Sequence, residues 1–331
     1  MVPTVVVGRG DGPVLELPER PVALDTGDFL DKQYVDGLAV LHKGALVLEA
    51  YRNDMQPHTL HLSQSVGKSV LGLLAGVLQL DPASRVVEHV PEVAGSGYDG
   101  TTVQHLLDMT AAIDFVEDYA TFWRYDVACA WHPPHPDAPA ETILDYLPTI
   151  GPAASWAHGE RLHYSTPNTD LLGLVAERAG GAPLAELIAR ELWAPLGAER
   201  DALLTVDGAG TAAIGGGFCA TLRDYARLGE LVRRDGAGVV PRDWIARLGV
   251  GDDDAFARST WATEGASGYG CQWWRMGGCV AARGIHGQLV AVDREAGVVV
   301  AILSSWPEAT PSAPGLAQLA LVDAVCAQLG G

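Results

Sequence analysis

Lysine is almost missing from this chain: of 22 basic residues, only Lys32, Lys43 and Lys68 are lysines. Positive charge as a whole is short. With 41 acidic residues the net charge is −19, which excludes nucleic acid and anionic membrane surfaces as partners and leaves a solvated acidic exterior. Cysteine is scarce and unpatterned. Cys129, Cys219, Cys271, Cys279 and Cys326 form an odd set with no C-x-x-C, so a disulfide framework is not expected and reduced thiols in a cytoplasmic protein are. The opening MVPTVVVGRGDGPV has no basic stretch leading into an apolar one, so it does not read as a signal peptide. No uninterrupted apolar run reaches about 18 residues, so no membrane span is expected. Two familiar hydrolase signatures are absent as well: no serine stands in G-x-S-x-G, and there is no H-E-x-x-H. His132 and His135 lie in a Pro-rich loop without a third ligand in view, so neither a metal nor a cofactor is expected.

What remains is ample material for a core. Apolar residues make up 48% of the 331, enough at roughly 100–200 residues per domain for two domains or one large one. Residues 37–51 (GLAVLHKGALVLEAY) alternate as a β-hairpin turning at His42-Lys43-Gly44. Residues 65–80 carry Leu71, Leu74, Val77 and Leu78 at helical spacing and are apolar nearly all round, which predicts a central buried helix. The middle of the chain is helical with long loops, with helices predicted over 102–109, 140–147 and 169–178. Another is predicted over 221–234, opened by Thr221 as N-cap. Strands return at 269–275, 287–292 and 298–304, before a last helix over 313–328. Strands at both ends around a helical middle predict an α/β (α+β) fold. Residues 1–80 and 206–331 would form the sheet domain and 81–205 an inserted, mostly helical domain.

Ser65-Val66-Gly67-Lys68 stands at the start of the buried helix. Residues i and i+3 share a helix face, so the Lys68 amine can reach the Ser65 hydroxyl. A serine hydroxyl needs a base to become a nucleophile, and lysine is a base only when neutral. Burial and the positive end of the helix dipole both push its pKa down. With 12 serines and three lysines, chance supplies about 0.1 such S-x-x-K pairs per chain. Tyr164 precedes another predicted helix; near Ser65 and Lys68, its hydroxyl could relay a proton to a leaving group.

Ser65-x-x-Lys68 and Tyr164-Ser-Thr-Pro-Asn168-Thr-Asp-Leu-Leu-Gly173 resemble the first two motifs of the serine β-lactamase and penicillin-binding superfamily. The asparagine of its Y-x-N motif is replaced here by Thr166. Further segments resemble the 6-aminohexanoate-dimer (nylon oligomer) hydrolases and related esterases. They are Leu107-Asp-Met-Thr110, Glu117-Asp118-Tyr119, Gly215-Gly-Gly-Phe218, Thr221-Leu-Arg-Asp224, Gln272-Trp-Trp274, Gly284-Ile-His-Gly-Gln288 and Leu303-Ser-Ser305. The resemblance implies a β-lactamase-like antiparallel sheet flanked by helices, with an inserted helical domain. It implies an acyl-enzyme on Ser65, Lys68 as base, Tyr164 as proton relay, and an oxyanion hole from the Ser65 and Ile285 N–H groups. Gly284 matches the glycine of the K-T-G triad, so the triad's lysine falls on Ala282 and is lost, which turns the expectation from β-lactams to esters and linear amides. Tyr119 is the implied contact to the scissile amide; Trp273 and Trp274 either line the substrate pocket or pack in the core as strand aromatics, and His286 either reaches the site from its strand or hydrogen-bonds within the sheet. In the nylon oligomer group an acid downstream of the tyrosine holds the substrate's amine; Asp126 and Asp137 are both available for it.

The expected function is therefore a serine hydrolase cleaving a small linear amide or ester. Acyl transfer through the same intermediate and a catalytically silent penicillin-binding-like module are the alternatives. The expected partners are a small-molecule substrate and, at most, a second copy of the chain as a homodimer.

Overall fold

The computed structural model describes residues 2–118, 123–134, 140–259, 261 and 265–330. Its eleven strands form two antiparallel sheets. The smaller, in the order β1-β5-β6-β4, holds β1 (Thr4–Val7), β4 (His61–Leu62), β5 (Ala202–Thr205) and β6 (Phe218–Ala220). The larger runs β3-β2-β11-β10-β9-β8-β7. It comprises β2 (Val35–His42), β3 (Ala45–Tyr51), β7 (Gly268–Gly270), β8 (Trp273–Met276), β9 (Cys279–Gly284), β10 (Gln288–Asp293) and β11 (Val298–Ser304).

The β2–β3 hairpin forms where the alternation predicts it. Its turn narrows to Lys43 (φ 50°) and Gly44 (φ 84°), both left-handed, the pairing whose twist suits two adjoining strands. The stretch 269–275 is not one strand. Cys271 (φ 50°) and Gln272 (φ 65°) fold it into a second tight hairpin, joining β7 to β8. Neither residue type signals a turn; it is held from outside. Gln272 N–H donates to Leu107 O (2.9 Å), its Nε2 to Leu106 O (2.7 Å), and Cys271 N–H to Asp108 Oδ1 (3.0 Å). The strands named from the sequence are also not consecutive, since β9 lies between β8 and β10. Its small residues and Arg283 dilute the alternation that marks a strand.

Four helices of twelve residues or more are α1 (Val66–Val77), α2 (Thr166–Gly180), α3 (Leu222–Arg233) and α4 (Ser312–Gly330). Helix α3 begins at the predicted N-cap, where Thr221 Oγ1 accepts from Asp224 N–H at 3.2 Å. Helices α3 and α4 cover opposite faces of the large sheet, which is why Leu38 to Leu41 in β2 and Val298 to Leu303 in β11 are apolar at consecutive positions rather than at alternate ones. Ala39, Leu41, Val299 and Ala301 pack with Leu222, Tyr225 and Leu228 on one face. Leu38, Val40, Val300 and Ile302 pack with Leu321, Val322 and Val325 on the other. By length and composition alone α4 could cross a membrane; here it lies over β11. Segment 81–205 holds short helices, α2 and β5. Its Tyr98, Leu106, Ile143 and Leu171 share one hydrophobic cluster with Leu74, Ala301 and Leu303.

Candidate active site

Ser65 caps α1, and the residue before it, Gln64, has φ 50°. A left-handed non-glycine residue is a strained conformation that its surroundings must hold in place. Ser63 N–H does so by donating to Phe218 O of β6 at 2.9 Å. At Gly67 a Cβ would stand 2.4 Å from Ile214 O, so only glycine lets the first turn of α1 seat this closely against the 213–217 loop.

Lys68 is buried, 1% exposed, and its Nζ meets three oxygens: Ser65 Oγ at 2.9 Å, Thr166 Oγ1 at 3.0 Å and Gly215 O at 2.5 Å. A carbonyl can only accept. The Thr166 hydroxyl donates to Glu117 Oε1 at 2.5 Å, so towards Lys68 it too is an acceptor. A neutral amine has two N–H bonds and one lone pair. Thr166 and Gly215 take the two hydrogens, and the lone pair is left facing Ser65. Burial pushes the Lys68 pKa down to about 8, against the opposing pull of Glu117 and Asp170. Glu117 also accepts from Thr166 N–H at 2.9 Å, and Asp170 fixes the third oxygen from behind, accepting from Gly215 N–H at 2.7 Å. Buried Asp170 has its pKa raised to about 6, held down in part by hydrogen bonds from Tyr125 and Gly215.

Tyr164 precedes α2 and is 7% exposed. Its ring stacks on Trp274 at 5.5 Å and meets Tyr269 edge-on at 5.9 Å, while Lys68 Nζ lies 5.2 Å from its centroid. Burial and then Glu117 raise its pKa above the ordinary phenol value, against smaller opposing effects of Ser65 and Arg283. At neutral pH it is a phenol, a proton donor rather than a base.

The end of β9 closes on the Ser65 loop. A Cβ on Gly284 would lie 2.3 Å from Ser63 O, and this contact brings Ile285 beside Ser65. Among the described residues neither the Ser65 nor the Ile285 N–H donates to another protein group. Both residues line two cavities. One, of about 160 Å³, is walled by Tyr164, Trp261, Trp274 and Arg283 and by residues of α4. The other, of about 200 Å³, is walled by Asp126, Trp131, Thr166 and Gly216. Burial raises the Asp126 pKa to about 6, opposed by His132.

The structure separates the residues the sequence singled out. Ser65, Lys68, Tyr164, Ile285 and Trp274 come together. Trp273 points to the opposite side of β8 from Trp274, as strand alternation requires, and donates from deep in the core to Ser69 O at 3.1 Å. It lines neither cavity. His286 turns away, its Nδ1 on Trp306 O at 2.8 Å, and lines neither. Tyr119, His135 and Asp137 lie outside the described residues. Sequence reasoning missed Glu117, Asp170, Gly215 and Arg283 as parts of the site. Glu117, Asp170 and Gly215 stood inside the resembling segments without a role assigned to them, and Thr166, whose hydroxyl meets Lys68, showed as a departure from Y-x-N.

The beta-lactamase family model matches residues 29–324. The 6-aminohexanoate-dimer hydrolase of Paenarthrobacter ureafaciens is 35% identical over 93% of this chain and 83% of that protein. A Bacillus anthracis structure named as a candidate 6-aminohexanoate-dimer hydrolase superposes with TM-score 0.86 at 22% identity, covering 99% of this chain and 91% of that one. EstCE1, described as a hydrolase with promiscuous acyltransferase activity, superposes with TM-score 0.70 at 18% identity, over 90% and 95% of the two chains.

Proposed function

This chain belongs to the beta-lactamase family and is a hydrolase, and we propose that it cleaves a linear amide or ester carrying a cationic amine on its acyl half, through an acyl-enzyme on Ser65. The observation that carries the reading is Lys68 Nζ standing 2.9 Å from Ser65 Oγ with two further oxygens, Thr166 Oγ1 and Gly215 O, placed to take both hydrogens of the neutral amine. As Oγ attacks the carbonyl carbon, Lys68 takes its proton. The oxygen that becomes negative sits between the Ser65 and Ile285 N–H groups, which have no protein acceptor to give up among the described residues. When the tetrahedral intermediate collapses, the C–N or C–O bond breaks. The Tyr164 phenol protonates the departing group and is refilled from the Lys68 ammonium. Water then attacks the ester on Ser65 with Lys68 again as base, releasing the acid and the free serine.

The two cavities suggest how the substrate lies. An acyl chain reaching into the Asp126 cavity places a terminal ammonium on that carboxylate. The leaving half runs over Trp274 towards Arg283, which suits an apolar chain ending in a carboxylate. A zwitterionic linear amide has this shape, and the name of the Paenarthrobacter relative describes one. With Ala282 where the family's third motif carries lysine, the usual cation for a β-lactam carboxylate is gone.

Steady-state kinetics on the 6-aminohexanoate dimer, p-nitrophenyl 6-aminohexanoate and p-nitrophenyl hexanoate test the reading. Ser65→Ala should abolish turnover of all three; retained turnover refutes the nucleophile. Asp126→Asn should lower kcat/KM about tenfold on the two amine-bearing substrates, a loss of about 1.4 kcal/mol, and spare the hexanoate ester. An equal loss on both esters would remove Asp126 as the amine site.

A further inference from the structure

Away from the reacting centre, three elements bring a different set of donors together. Cys279 opens β9 and Asp293 ends β10. The strands pair Val280 with Val292, so Cys279 and Asp293 stand side by side on the sheet. Cys326, near the end of α4, comes down on the same face, where Cys279 packs in the cluster beneath that helix. The two sulfurs and a carboxylate oxygen of Asp293 all lie within 4.8 Å of one another. A tetrahedral zinc-class site with bonds of about 2.3 Å to sulfur and 2.0–2.2 Å to oxygen holds its donors roughly 3.5–3.8 Å apart. The cluster is therefore close to a coordination shell before any side chain moves. Asp323, one turn before Cys326, directs its carboxylate towards the β8–β9 turn, 3.8 Å from where a Cβ on Gly277 would stand. Among the described residues no salt bridge neutralises Asp293 or Asp323. Both cysteines are free thiols, and their sulfurs lie within 4.8 Å of each other. Two thiols beside acidic groups without a cation make a site that a borderline-soft dication would complete.

We propose that Cys279, Asp293 and Cys326 bind one divalent metal ion of zinc's class, with Asp323 or water as the fourth ligand, and so clamp α4 to the sheet. Binding forms two metal–sulfur bonds and a metal–oxygen bond, and the two thiol protons leave to solvent. No redox change is involved. The clamp has a consequence for the active site, because the first turns of α4 wall the aromatic cavity through Ser312, Gly315, Leu316 and Leu319. The three ligands lie 14 and 33 residues apart in the chain (279 to 293 to 326), which is why no short metal motif shows in the sequence.

Cobalt substitution tests the site without reference to catalysis. The full chain, stripped by a chelator and kept reduced, is titrated with Co²⁺ and then Zn²⁺. One Co²⁺ per chain with an intense thiolate-to-cobalt charge-transfer band, displaced by Zn²⁺, is the expected result, together with a rise in Tm on Zn²⁺ addition. Cys279→Ser and Cys326→Ser should each lose most of the band, Asp293→Asn should weaken Co²⁺ binding about tenfold, and Cys219→Ser should leave it unchanged. A wild-type chain that gives no such band while Cys279 and Cys326 both titrate as thiols overturns the proposal. So does a Cys279–Cys326 disulfide in protein isolated without reductant, if the reduced protein then takes up no metal.

Discussion

Lys68 must be neutral to take the proton of Ser65, and the structure places its pKa near 8. The rate should therefore rise with pH: kcat/KM for a neutral ester is expected to climb through about 8 and level off above it. A profile flat from pH 6 to 9 would remove Lys68 as the base. Glu117 pulls that pKa upward, so Glu117→Gln, which can still accept from Thr166, should move the rising limb to lower pH. A shift to higher pH contradicts the assigned geometry. The same group leaves a mark on stability. Its folded pKa lies below its ordinary 10.5, so between about 8 and 10.5 the unfolded chain binds the extra proton. The penalty for burying the charge is full below 8, about 3 kcal/mol, and gone above 10.5. Lys68→Met removes that penalty but leaves Gly215 O without its donor, at about 1–3 kcal/mol. The mutant's stability relative to wild type should fall by about 3 kcal/mol between pH 7 and 10.5, as urea titrations at the two ends would show.

At the scale of elements, the site is the meeting of a helix start with a strand end. Helix α1 supplies Ser65 and Lys68, the end of β9 supplies Ile285, and the contact between them is the Gly284 backbone against Ser63 O. Gly284→Ala forces that contact apart. Overpacking of this kind costs about 1–3 kcal/mol, but a displacement near 1 Å in the oxyanion donors costs about 100-fold in rate. The expected variant is folded, with a lowered Tm and about 100-fold less ester hydrolysis; full activity would mean that Ile285 is not placed by this contact. The two tight hairpins show what local sequence can signal. Lys43-Gly44 is readable because glycine favours the left-handed region. Cys271-Gln272 is not, because its turn is set by Leu106, Leu107 and Asp108, far away in the chain.

For the molecule as a whole, the sheet and the 81–205 segment share one hydrophobic cluster. Neither can expose its side without uncovering the other's. A single cooperative calorimetric transition is expected, with calorimetric and van't Hoff enthalpies in agreement. Two separated transitions would mean that the helical segment unfolds on its own.

The sequence by itself determined that Ser65 and Lys68 meet, because they are one helical turn apart and their meeting needs only a helix. It determined the main helices and the β2–β3 hairpin for the same reason: periodicity and turn residues are local. Only the tertiary structure decided which tryptophan lines the cavity beside Ser65, since alternation separates Trp273 from Trp274 but does not say which side is the cavity. Only it decided that His286 turns to Trp306 O and that Asp126 stands at the site. It alone showed how Lys68 is held, by Thr166, Glu117, Gly215 and Asp170. Those contacts join residues far apart in sequence, and their spacing follows from how α1, α2 and the 213–217 loop pack rather than from any local preference.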